Sequence, residues 1–185
     1  MPGEAPPPAP PAGRTPLRIL VLGVGNTLMR DDGVGVRLME ALAAGSQLIA
    51  GVEYLDAGTL SFMLLPQIED CDALLVLDAA HLDTHAGDMR ILEGAAMDDF
   101  LRTARCSVHE VGVRDLLDVA RLTGHLPDRR AFVGVQPLET GWGDSLSDPV
   151  SAALPGAVGG ARAILARWRA STGHTLDNSD ISEST

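Results

Sequence analysis

Aromatic side chains are scarce in this sequence. Three Phe, two Trp and one Tyr make up 3% of 185 residues, so the core has to be filled mainly by Leu, Val, Ile and Ala. Cysteine is nearly missing as well. Cys71 and Cys106 form no CxxC and no metal-finger spacing. Lone thiols of this kind fit a reducing compartment, where they pack as small apolar groups. Basic residues are outnumbered, 14 Lys and Arg against 25 Asp and Glu, for a formal charge of −11, and none of them cluster. That balance argues against nucleic acid or an anionic membrane as the main partner. No apolar run reaches the roughly 18–20 residues that a membrane span requires. The opening MPGEAPPPAPPAGRTP has neither the basic nor the apolar region of a secretory signal, so the expected location is cytoplasmic.

What is present is a pattern of apolar runs alternating with helical periodicity, at a length that suits one domain. Residues 1–16 read as a disordered Pro-rich tail, 17–170 as the folded domain and 171–185 as a flexible polar tail. Strands are expected at 18–23, 52–58, 73–79, 88–93 and 131–137. Helices are expected at 36–45 (closed by Gly45 beyond its last turn), in a short stretch ending near Pro66, at AAMDDFLR, and at VRDLLDVARLTG with Gly124 as its stop. A last helix runs to about Trp168, with Asp148 as N-cap and Pro149 in its first turn. Such alternation predicts an α/β fold: a single domain with a twisted, mostly parallel sheet flanked by helices on both faces. In these sheets the site lies beyond the carboxyl ends of the strands.

Three acidic strand ends stand out there. GVGNTLMRDDGVG, residues 23–35, opens like a dinucleotide-binding turn, and Asp56 at the end of the second strand matches a ribose-binding acid. However, Leu28 stands where the third glycine belongs, and Asp31 and Asp32 put negative charge where a pyrophosphate would sit. Carboxylates suit a cation instead. Asp32 follows the first strand, Asp78 ends the apolar LLVLDAA, and His109 lies in CSVHEVG. An Asp/Asp/His set suits a borderline cation such as Zn²⁺ or Ni²⁺ and leaves a coordination position open. The structural alternative is that Asp31 or Asp32 caps the following helix, Asp78 caps a neighbour and His109 starts its own helix. His81 and His85 in HLDTHAGD have helical metal-site spacing, but without the Glu of HExxH they read as surface loop. No GxSxG elbow is present. Asp56 in DAGT is either a reactive carboxylate or a turn-forming Asp before Gly. Leu138 and Trp142, in the glycine-containing loop 137–148, are either substrate contacts or part of an ordinary mobile loop.

Taken in order, GxGNxLxxDDGxG, DxGT, the DA strand end, SxHE and FVGVQPLE resemble the NiFe-hydrogenase maturation endopeptidases, over roughly residues 18–168. The resemblance implies an endopeptidase that removes the C-terminal extension of the hydrogenase large-subunit precursor once nickel is in place. It implies metal ligands at Asp32, Asp78 and His109, and candidate catalytic carboxylates at Asp56 and Asp32. Some members carry Glu where this chain has Asp32. Nickel would be supplied within the substrate, although zinc or another divalent ion also suits the donors. The partner is the large-subunit precursor, and the protein is expected to act as a monomer. The alternatives are a non-catalytic nickel-binding or delivery protein using the same three residues, a general zinc peptidase, and a dinucleotide-binding domain.

Overall fold

The computed structural model describes residues 17–45, 51–59, 62–103 and 108–171, with the backbone alone for residues 108–111. Both expected tails lie outside this set apart from Ser171. The elements run β1 (Ile19–Val24), α1 (Val34–Ala44), β2 (Val52–Gly58), α2 (Leu65–Asp70), β3 (Ala73–Ala79), β4 (Met89–Glu93), α3 (Ala95–Thr103), α4 (Val108–Leu122), β5 (Arg129–Val135) and α5 (Asp148–Ala170). One sheet has the order β2-β1-β3-β5-β4. Its first four strands are parallel, and β4 runs antiparallel on the β5 edge.

Both faces of the sheet are covered, as the unbroken apolar runs of β1 and β3 require. Side-chain alternation along each strand assigns the faces. Ile19, Val21, Leu75, Leu77 and Val133 pack with α1 and α5, whereas Leu20, Leu22, Leu74, Val76 and Phe132 pack with α2, α3 and α4. Phe132, wholly buried, is the one large ring at the centre and stands 5.6 Å from Phe100. Asp98 joins α3 to this frame by a two-pronged pair with Arg130 of β5 (2.9 and 2.7 Å) and a contact to Arg121 of α4 (3.0 Å). The 23 residues of α5 are long and apolar enough to cross a bilayer by composition. Here its stripe of Val150, Ala157, Val158, Ala161, Ile164, Leu165 and Trp168 is spent on the core.

Three local expectations change. Pro66 does not end a helix but lies in the first turn of α2, where its missing N–H costs nothing. The N-cap of α5 is Ser147 rather than Asp148, with Pro149 at the start as expected, and the Ser147 side chain makes no capping bond. Gly45 caps α1 with an ordinary right-handed φ of −92°. Gly124, by contrast, stops α4 with φ +77° while the His125 N–H closes back on the Ala120 carbonyl at 2.8 Å.

The start of α1 presses directly onto the sheet. A Cβ on Gly35 would lie 2.2 Å from the Leu77 carbonyl oxygen and 2.4 Å from that of Val24. Both neighbours are backbone and cannot yield. Gly35→Ala is therefore expected to destabilise the fold by about 1–3 kcal/mol, read as a lower denaturant midpoint at unchanged slope. An unchanged midpoint would mean that α1 does not need this close approach.

Candidate active site

β1 ends in Gly23 and Val24, and the chain turns at Gly25, whose φ of +121° suits glycine. A Cβ there would fall 1.8 Å from the Asp32 carbonyl oxygen, so the turn closes onto the residue it serves. The Asn26 N–H donates to Asp32 Oδ2 at 2.8 Å, and the Asn26 side-chain oxygen accepts from the Leu28 N–H at 3.0 Å. The Gly25 N–H reaches the Gly58 carbonyl at 2.8 Å and binds this turn to the end of β2. Asp32 is half-buried in a 3₁₀ turn, Arg30–Gly33, that packs against β3. Neither Asp31 nor Asp32 makes a side-chain capping bond, so the cap alternative does not describe them.

Asp78 is wholly buried at the carboxyl end of β3, with Oδ1 accepting from the Ala79 N–H at 2.8 Å. Its strand parity matches Leu74 and Val76, the face covered by α4. His109 lies in the first turn of α4, at that same face, and its side chain is outside the described set. Asp32, in the turn that follows β1, and Asp78, at the end of β3, thus both lie at the carboxyl edge of the sheet, beyond two neighbouring strands. Among the described residues no three His, Cys, Asp or Glu side chains group as a metal site. The donors that can be described are carboxylate oxygens, which suit a divalent cation.

Asp56 stands apart from them. It pairs in register with Gly23, as Leu77 does from the other side, which places Asp56 and Leu77 two strand spacings apart, about 10 Å. It is exposed, and its Oδ1 accepts from the Gly58 N–H at 2.8 Å, with Gly58 at φ +51°. The turn-forming role is therefore present, and the exposed carboxylate remains accessible from solvent. His81 and His85 are exposed in the loop before β4, as expected of a surface segment. Cys71 is no nucleophile: burial, reinforced by the charge of Asp72, pushes its thiol up to about 11. Cys106 lies outside the described residues.

The residue that sequence reasoning missed is Asp31. Its side chain is fully buried and reaches the loop between β5 and α5. Oδ2 accepts from the N–H groups of Leu138 (2.9 Å) and Glu139 (3.1 Å) and from the Ser147 hydroxyl (2.8 Å), while Oδ1 accepts from the Ser147 N–H at 2.7 Å. This is why Ser147 does not cap α5: its hydroxyl is committed to Asp31. Burial alone would raise the Asp31 pKa, but the four bonds to the charged form outweigh it and hold the group below the usual 3.8. Backbone contacts continue the seam. The Arg30 N–H donates to Gly143 (2.8 Å), the Gly143 N–H to Leu28 (3.0 Å) and the Asp31 N–H to Glu139 (3.2 Å). Arg30 takes a left-handed φ of 48°, uncommon for a residue with a side chain, and its guanidinium is paired with Glu139.

Carboxylates gathered beyond the carboxyl edge of a parallel sheet, without the positive cradle of a phosphate site, define an α/β protein built around an acidic strand-end site. Comparison with known proteins gives that class its family. The model of the hydrogenase maturation protease family matches residues 36–163. The hydrogenase expression/formation protein HupD of Rhizobium leguminosarum bv. viciae is 37% identical over 164 residues, covering 88% of this chain and 78% of its own. The hydrogenase 2 maturation protease of Escherichia coli K12 is 41% identical over 65% of this chain and 74% of its own. Among solved structures, the hydrogenase maturating endopeptidase HybD from E. coli superimposes with a TM-score of 0.78 at 35% identity, covering 82% of this chain and 94% of that one. The chain belongs to the hydrogenase maturation proteases, and is a peptide hydrolase of hydrogenase maturation.

The lowered pKa of Asp31 fixes the sign of a pH effect. A carboxyl lowered on folding stabilises the native state fully above the unfolded value of about 3.8 and loses that contribution as pH falls through the lower folded value. Asp31→Asn is expected to cost about 1.5–3 kcal/mol at neutral pH and to show a shallower loss of stability below pH 3.8 than the parent chain. Denaturant midpoints across the acid range measure both, and parallel acid limbs would contradict the assignment.

Proposed function

We propose that this protease cuts the C-terminal extension from a NiFe-hydrogenase large-subunit precursor after nickel insertion, acting as a monomer in the cytoplasm. The observation that carries the reading is the acidic strand-end pair. Asp32 is held by the Asn26 N–H in the turn after β1, and wholly buried Asp78 ends the neighbouring β3. Carboxylates so placed suit a cation presented by the substrate, and the imidazole of His109 would complete the donor set. In that reading nickel is part of the substrate. An unloaded precursor is rejected because it offers these carboxylates no counter-charge.

The hydrolysis needs water to add to the scissile carbonyl carbon, the C–N bond to break and a proton to reach the leaving amine. Asp56 is the carboxylate suited to that proton transfer, being exposed at the end of β2 and separate from the strand-end pair. Asp32 and Asp78 position the loaded substrate so that its peptide bond meets that water.

Intact mass of the full-length precursor, nickel-loaded and unloaded, tests the proposal. A single C-terminal truncation in the loaded sample alone is expected, and equal cutting of both samples would refute nickel gating. Asp56→Asn should slow cleavage about 10²–10⁴-fold with precursor affinity unchanged, so retained cleavage would remove Asp56 from the chemistry. Asp32→Ala should instead weaken binding of the nickel-loaded precursor while leaving that of the unloaded form alone.

A further inference from the structure

Large apolar side chains in solvent usually belong to mobile or incidental surface. Those flanking this site do not fit that description. Leu28 is 58% exposed, Leu138 60% and Trp142 80%, yet all three lie on backbone that is firmly tied down. Leu28 and Trp142 border the bridge between Met29 and Gly143. The Trp142 carbonyl accepts from Arg30 Nε at 3.3 Å, and Leu138 donates its N–H to the buried Asp31 carboxylate. The Asp144 carbonyl accepts from Arg37 of α1 at 3.4 Å, and Ser147 closes the loop on both Asp31 oxygens. The one charged pair within the seam, Arg30 with Glu139, is mutually neutralised.

We propose that this clamped loop is the docking platform for the precursor polypeptide, with Leu28, Leu138 and Trp142 seating apolar side chains of the segment that leads into the scissile bond, and with Asp31 as the residue that positions it. The inference rests on the endopeptidase reading and names where its substrate is held. Continuity with the acidic site selects the occupant. Asp31 and Asp32 are consecutive, their side chains bind different backbone (the β5–α5 loop and the Asn26 N–H), and a chain presenting its nickel to Asp32 passes beside the loop that Asp31 holds. Exposed apolar side chains beside an exposed acid, Asp144, call for an apolar partner segment rather than an acidic one. Rigid anchoring adds to affinity because little freedom is left to lose on binding.

The test uses the full-length chain and its cognate nickel-loaded precursor, with KM and kcat followed by intact mass. Trp142→Ala and Leu138→Ser are expected to raise KM about tenfold or more, with kcat at saturation little changed. Leu122→Ser is the matched control. Leu122 is 88% exposed at the end of α4, next to Gly124, which lines the opposite, amino end of the sheet with Leu17 and Arg129. This variant should behave as the parent. Asp31→Asn should raise KM as well, and combining it with Trp142→Ala should cost less than the two effects added, since both act through one loop. A parent chain that cleaves, while Trp142→Ala and Leu138→Ser keep its KM, overturns the docking proposal alone. Full additivity of Asp31→Asn with Trp142→Ala overturns the positioning role. A parent chain that never cleaves a loaded precursor overturns the function on which both rest.

Discussion

One buried carboxylate governs the architecture of the site. An ionised group withdrawn from water is tolerable only when its oxygens are saturated by donors. Asp31 meets that condition with three backbone N–H groups and one hydroxyl. All four donors come from the loop between β5 and α5, so the charge cannot be satisfied unless that loop takes one conformation. The loop in turn fixes the backbone of Leu28 to Asp31 through its own N–H and C=O groups. Turn and loop are therefore a single unit, and Asp32, the next residue, inherits its position from them.

Two adjacent aspartates have in this way been given opposite tasks. Asp31 points inward and spends its charge on holding backbone, whereas Asp32 is half-buried at the sheet edge and accepts from the Asn26 N–H of the glycine turn. Close packing keeps them distinct. Gly25 lies against the Asp32 carbonyl and Gly35 against the ends of β1 and β3, leaving no slack for the 3₁₀ turn to rotate one carboxylate into the place of the other. Strand parity adds a second separation. It places Asp78 on the α4 face and sets Asp56, two strands away, with the opposite row of side chains. The acidic residues of the site are thus sorted by fold geometry into a buried structural anchor, a strand-end pair and an accessible carboxylate.

Much of this was legible in the chain. Apolar runs such as ILVLG and ALLVLDA read as buried strands, which sets Asp78 at a strand end and Asp32 just beyond another. The signals that misled were local ones with two meanings. Pro66 both ends and begins helices, and its position in α2 depends on how the chain leaves β2. Ser147 and Asp148 are equally good caps by type, and the choice was made by Asp31, 116 residues distant from Ser147. The same distance explains why Asp31 itself was read as a helix cap or as one member of an acidic pair. No motif records a partner so far along the chain, and its donors are mostly backbone N–H groups, which carry no residue signature. The antiparallel direction of β4 was similarly invisible, because five residues half-exposed at an edge look alike in either sense.

The span of the Asp31 contacts has a consequence for how the protein comes into being. Synthesis delivers the acidic residues early: once β3 has emerged from the ribosome, Asp31, Asp32, Asp56 and Asp78 are all present. The groups that satisfy Asp31 begin only at Leu138 and end at Ser147. Until then the carboxylate has no buried place to occupy, and the turn that presents Asp32 lacks the loop against which it sets. A nascent chain thus carries its acidic residues long before it carries the loop that orders the turn around Asp32.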